Sequence, residues 1–195
     1  LARSIASSVR RIPFTPDLLP RDVTGVSVYN AEDRDFEFKP GPVFANIVVG
    51  DEINRASPKT QSALLEAMQE KQVTVDGVTY PLESPFMVLA TQNPIDMEGT
   101  YILPEAQLDR FLMKLTVGYP KIEAEAAILR TQKMGSTIDH LLHVLSGSEM
   151  LSMNEAVRQV EIAPAREQYI VAISPATRAL SELRHAAPPG ATVRT

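Results

Sequence analysis

The spacing of apolar residues changes period along the chain, and each change predicts an element. In "LARSIASSV" the positions 1, 2, 5, 6 and 9 follow one helical face, so the chain is expected to open inside a helix before turning extended at "RRIPFT". Val26/Val28 and Phe36/Phe38 alternate on either side of the polar "NAEDRD", and Pro40-Gly41-Pro42 closes the stretch, which predicts a small hairpin-like excursion. "FANIVV" (44–49) is continuous and β-branched, the pattern of a central strand buried on both faces, and it ends at Gly50-Asp51-Glu52. Ser57-Pro58 then starts a helix: Ser can cap, and Pro at the first helical position has no N–H to lose. Leu64, Leu65 and Met68 form the buried stripe of that helix. Val73/Val75 and Val78/Tyr80 alternate around Asp76-Gly77, a strong hairpin signal. "PFMVLATQN" (85–93) is a second buried strand ending in Thr91, Gln92 and Asn93, and 103–117 reads as a helix leading into a third, short strand. From about residue 122 only helices are expected, at 122–133, 148–160 and 165–184, with Ser174-Pro175 breaking or kinking the last.

Composition narrows the class. The 195 residues can bury a real core, and 44% hydrophobic with 22% charged residues is ordinary for a globular chain. No apolar run approaches the ~20 residues of a membrane helix, and Arg interrupts the first residues where a signal peptide would be apolar, so no membrane insertion is expected. The chain has no Cys, which excludes disulfides and thiolate metal sites and is compatible with a cytoplasmic location. The net charge of −5 lies wholly in residues 1–100, where 9 Lys and Arg face 14 Asp and Glu. That balance argues against a broad phosphate-backbone-binding surface, and nucleic acid is an unlikely partner.

Strands alternating with helices predict an α/β sheet, and such sheets bind ligands beyond the carboxyl ends of their strands. Two strands here end in polar groups, Asp51-Glu52 and Asn93, which meet if the strands are neighbours. An Asp at that point can hold Mg²⁺ through its water shell, and the following Glu can act on a water aimed at a γ-phosphate. The same pair could instead cap the next helix or pair with Arg55, and Asn93 before Pro94 could simply form a turn. Arg110 could pair with Glu105 or Asp109. His140 and His143 have metal-pair spacing but no further ligand nearby, and Met87, Met97 and Met113 read as packing.

"FANIVVGDEINRASPKTQSALLEAMQEKQVTVDGVTYPL" followed by "VLATQNPIDMEGTYILPEAQLDRF" resembles the MoxR family of AAA+ ATPases, in the clade with a helix-2 insert and a hairpin before sensor 1. "RIPFTPDLLPRDVTGV" resembles the entry to that insert, and "YIVAISPATR…PPGATVRT" resembles the lid, so the likeness spans essentially the whole chain. It implies a P-loop NTPase-type αβα sandwich over 1–121, with the insert near 22–44 and the hairpin near 72–86, followed by an all-α lid over 122–195. It further implies that Asp51 is the Walker B aspartate for Mg²⁺, Glu52 the catalytic glutamate and Asn93 the sensor 1 residue. By the same resemblance Arg110 is the arginine finger given to a neighbouring subunit, and Arg194 is the sensor 2 arginine that contacts ATP, although "GATVRT" departs from the family's usual "GASPRA". The implied activity is ATP hydrolysis in a homo-oligomeric ring, a hexamer, coupled to chaperone-like remodelling of a client protein, with a von Willebrand factor A-type partner as an expectation of the resemblance alone.

The sequence contains no G-x-x-x-x-G-K-[ST] stretch to cradle phosphates. In the family that loop precedes a helix like "LARSIASSV", so the resemblance implies a chain that begins just past it and by itself binds nucleotide weakly or not at all. Two alternatives stand beside the ATPase reading. A nucleic-acid or metal-chelatase motor of the same clade is one; against DNA translocation, residues 72–86 carry no Lys or Arg, only Asp76 and Glu83. A non-catalytic ATPase-like interaction module is the other, and the presence of Asp51, Glu52, Asn93 and Arg110 together argues against it.

Overall fold

The computed structural model describes residues 2–93, 99–132 and 141–179. The chain forms two compact units, Leu1–Ser152 and Met153–Thr195. In order, the first contains β1 (Ile5–Ala6), β2 (Val9–Pro13), α1 (Pro20–Thr24), β3 (Gly25–Asn30), β4 (Asp35–Pro40), β5 (Ile47–Asp51), α2 (Pro58–Glu70), β6 (Gln72–Val75), β7 (Val78–Pro81), β8 (Met87–Ala90), α3 (Glu105–Leu108), α4 (Ile122–Gln132), β9 (Leu145–Ser146) and the start of α5 (Gly147–Arg158). The second holds the rest of α5 and α6 (Pro164–Ala179). Among the described residues no helix is long and apolar enough to cross a membrane.

The centre of the first unit is a parallel sheet in the order β2-β5-β8. Its middle strand is the one read as buried on both faces, and Ile47 and Val48 are indeed fully buried. Register places Pro13 opposite Asp51 on one side and Ala90 opposite Gly50 on the other, so all three strands finish at the same edge. Helix α2 lays Leu64, Leu65 and Ala67 onto the sheet in a core that includes Phe14, Val48, Ile53 and Leu103, with Met68 partly buried against it. Ser57 caps α2 by accepting from the Thr60 N–H, and Lys71 ends it in the left-handed conformation.

Both predicted hairpins are present. β3 pairs antiparallel with β4, and β6 with β7 across Asp76 and Gly77, both at positive φ as a two-residue primed turn demands. The two hairpins touch: the rings of Phe38 and Tyr80 stack with centroids 4.0 Å apart, and Phe38 also meets Phe44 edge-on. At the base of β3, Gly25 has a φ of 103°, and a Cβ on neighbouring Gly41 would sit 2.3 Å from the Val23 carbonyl oxygen.

Three expectations are corrected. The opening residues do not form an α-helix: Ala2–Ser4 is a single 3-10 turn, and β1 pairs in parallel with β9, burying Ile5. Ile5 and Ala6 pair with Leu145 and Ser146, so a strand partner distant in sequence satisfies their backbone where the local pattern favoured a helix. Residues 103–117 give only the short α3, and 112–121 form no strand, because none of the described residues pairs with their backbone. Met113, read as packing, is consequently exposed along with Leu112 and Leu115, whereas Met87 is half-buried. Finally, the stretch from 122 is not helical throughout, since Leu145–Ser146 forms β9 and pairs with β1; within it α6 continues through Pro175, so no break occurs there. His140, Met97, Pro94, Arg194 and the end of the helix read to residue 184 lie outside the described residues.

Candidate functional site

The shared sheet edge brings Asp51, Glu52 and Asn93 together. Asp51 is the last residue of β5, and its carbonyl accepts from the Phe14 N–H at 2.9 Å, so β2 stays paired to it up to the edge. The chain then reverses sharply. Glu52 takes the left-handed conformation with φ 53° and ψ 49°, which is uncommon for a residue with a Cβ, and its N–H donates to Thr91 Oγ1 at 3.0 Å. Thr91 also receives Ile53 N–H on its carbonyl, at 3.0 Å, and gives its own N–H to the Gly50 carbonyl, at 2.8 Å. These bonds hold the carboxylates of adjacent residues in one place while their backbones diverge.

Each carboxylate has partners. Arg11, from the exposed edge of β2, donates through Nε to Asp51 Oδ2. Arg55 donates through Nη1 to Glu52 Oε2 at 3.0 Å, and Asn93 Nδ2 donates to Glu52 Oε1 at 3.3 Å. The Arg55 pairing open from the sequence is therefore present, but it does not exclude a catalytic part for Glu52, because the second oxygen faces Asn93. The two carboxylates and their arginine partners border a cavity of about 470 Å³ lined by Arg11, Phe14, Asp51, Glu52, Arg55 and Thr91 among others.

Asp51 suits Mg²⁺ of one kind. The ion tolerates one or two carboxylates only when phosphate oxygens and waters complete its octahedron, and a half-exposed strand-end carboxylate beside an open cavity offers that. Among the described residues no three His, Cys, Asp or Glu gather into a metal cage.

Arg110 lies elsewhere. It borders a second cavity of about 500 Å³ with Glu66, Glu70 and Gln107, and this cavity shares no residue with the first. Gln107 Oε1 is buried there without a hydrogen-bond partner. Arg194 is outside the described residues.

Sequence reasoning missed three residues. Arg11 gave no signal beyond its place in an extended run. Gln61 did: it sits on the apolar face of α2 in step with Leu64, Leu65 and Met68, and it is 1% exposed. Its Nε2 lies 3.2, 3.1 and 3.0 Å from the carbonyls of Ile53, Ala56 and Tyr101. Asn54, also buried, bonds to the backbone of Asn93.

A three-stranded parallel sheet with α2 packed on it, and carboxylates and a polar amide at one edge, defines the class as an α/β protein with a P-loop NTPase-type core. The family described as "ATPase family associated with various cellular activities (AAA)" matches residues 1–113. The chain belongs to that family and, within it, to the MoxR ATPases, with a P-loop NTPase-type fold. It is 46% identical over 182 residues to the chaperone MoxR1 of Mycobacterium tuberculosis, covering 93% of this chain and 48% of that one. It is 54% identical over 178 residues to the uncharacterized protein YeaC of Bacillus subtilis, covering 91% and 56%. A crystal structure of a candidate ATPase from Cytophaga hutchinsonii superposes with a TM-score of 0.86 at 42% identity, covering 99% of this chain and 61% of that one. The chain spans about half the length of the curated relatives it matches.

Proposed function

We propose that the intact protein hydrolyses ATP between subunits of a homo-oligomeric, hexameric ring and uses the cycle to remodel a client protein. The observation that carries this reading is the meeting of Asp51, Glu52 and Asn93 at one sheet edge, with Asn93 Nδ2 3.3 Å from Glu52 Oε1 beside the Asp51 carboxylate. In it Asp51 holds Mg²⁺, which supplies charge neutralisation on the phosphates, while Glu52 accepts a proton from the attacking water and Asn93 orients both. Arg110, bordering a separate cavity, is free to serve a neighbour's nucleotide, and Arg194 serves as the lid's ATP-sensing arginine. We read residues from about 122 onward as the lid, although β9 within that stretch pairs with β1 in the first unit. The name of the mycobacterial relative supports a chaperone role, and a von Willebrand factor A-type protein is the partner class to test first.

The test is turnover in the full-length protein. Glu52→Gln is expected to lower the ATPase rate on the order of 10²-fold or more while nucleotide binding persists, as for loss of a general base. Wild-type turnover in that variant overturns the assignment.

A further inference from the structure

The amide of Asn54 does what a neighbouring strand would do. β8 ends at Ala90, and three residues later the backbone of Asn93 has left the sheet. There the Asn54 side chain offers both halves of a ladder rung: its Nδ2 donates to the Asn93 carbonyl at 3.1 Å, and its Oδ1 accepts the Asn93 N–H at 3.3 Å. An amide is the side-chain group that can make this exchange at two points, because it carries a donor and an acceptor at the spacing of a peptide. Asn54 is itself fixed. It is 8% exposed, its own carbonyl receives the Tyr101 N–H at 2.6 Å, and Gln61 from α2 reaches the carbonyls of Ile53 and Tyr101 on either side. Buried polar groups joined this completely have one low-energy arrangement.

We propose that Asn54 is a positioning residue for hydrolysis: its side-chain amide clamps the Asn93 backbone so that Asn93 Nδ2 is aimed at the Glu52 carboxylate. This rests on the ATPase reading given above. Asn54 does not border the Asp51–Glu52 cavity and acts only through Asn93. The position of Asn93 is thereby tied to the same turn that carries Glu52, two residues away, so the two groups move as one.

The experiment uses the full-length protein with Asn54→Asp, which keeps an oxygen for the Asn93 N–H but sets a second oxygen against the Asn93 carbonyl. The kcat is expected to fall roughly 10- to 100-fold, the scale of a small misplacement of a catalytic group, with KM for ATP changed less than about threefold. In an Asn93→Ala background the same substitution should cost little further kcat, since the clamp then holds nothing that reaches Glu52. A role in folding alone would lower kcat equally in both backgrounds, and that result, or wild-type kcat in Asn54→Asp, overturns the proposal. Hydrogen exchange in the wild-type protein gives a reading that no variant's folding can spoil: the Asn93 N–H should be protected although it lies beyond the strand, and rapid exchange there refutes the clamp. Glu52→Gln run in parallel separates the two claims. Full turnover in that variant removes the ATPase assignment, while exchange at Asn93, which needs no nucleotide, still decides whether Asn54 holds it.

Discussion

At the scale of single residues, the site is a set of charges whose partners are already chosen. Arg11 sits on Asp51, the residue assigned to Mg²⁺, so ion binding must displace or share that guanidinium. Exposed ion pairs of this kind contribute up to about 1 kcal/mol, which corresponds to about fivefold in an equilibrium. Arg11→Ala is therefore expected to lower the Mg²⁺ concentration for half-maximal nucleotide binding by up to about fivefold. An Mg²⁺ titration of the full-length protein checks it, and a raised requirement would show that Arg11 assists the metal instead. Gln61 presents the opposite case, a buried amide whose value lies in what it satisfies. Gln61→Leu keeps the bulk but takes the amide donor from the Ala56 and Tyr101 carbonyls, while Ile53 keeps the Ala56 N–H, and unmet buried acceptors cost about 1 to 3 kcal/mol each, so a loss of about 2 to 4 kcal/mol is expected in denaturant melts. A loss below about 1 kcal/mol would mean that water replaces the amide. Asp51, Glu52 and Asn93 were legible in the sequence because each ends a run of apolar residues, where a polar group stands out. Arg11 and Asn54 were not, because their partners lie 40 and 39 residues away and nothing local marks such a pairing.

At the scale of elements, local chemistry explains most of what the sequence foretold. Ser57-Pro58 and Asp76-Gly77 each carry their conformation within two residues, and both the helix start and the turn form where they stand. The opening helix and the third strand did not form, since the first stretch pairs with β9 instead and the second has no strand partner among the described residues, and neither fact is written in a short window. One cap escaped the hydrophobic reading altogether. Ser146 and Glu149 make a reciprocal box at the start of α5: the Ser146 N–H and hydroxyl donate to Glu149 Oε2 at 2.7 and 2.8 Å, and Ser146 Oγ receives the Glu149 N–H at 3.2 Å. The bond from the Ser146 backbone N–H, followed by that from its hydroxyl, holds the Glu149 carboxyl below its ordinary pKa. A depressed folded-state pKa means that this stabilisation is complete above the carboxylate's ordinary pKa and fades as pH falls through the lower folded value. The protection factors of the amides in the first turn of α5, that is, exchange corrected for its intrinsic pH dependence, should thus fall on acidification in the wild type, and Glu149→Gln should abolish that fall. An unchanged pH profile in the variant would place the titrating group elsewhere.

At the scale of the molecule, the two cavities imply a division of labour. Asp51, Glu52 and Asn93 share one edge, where Arg11 and Arg55 already pair with the carboxylates, while Arg110 borders a different cavity with Glu66 and Glu70, so a single first unit does not bring its own Arg110 to that edge. In a ring this becomes an advantage, because a head-to-tail interface sets one subunit's edge against the other face of its neighbour. The reading then makes a quantitative demand. Arg110→Ala should depress turnover of the full-length protein by about 10³-fold or more, the scale of a lost arginine finger. Glu52→Gln should inactivate the proposed ring from the other side. When the two inactive proteins are mixed in equal amounts and allowed to exchange subunits, about a quarter of the interfaces pair an intact Glu52 with an intact Arg110, and turnover should recover toward that fraction. If Arg110 acts within its own subunit, no interface in the mixture is whole, and the rate stays at the level of the separate variants. Native mass measurement of the mixture distinguishes that outcome from failure to exchange, since only exchanged rings carry intermediate masses.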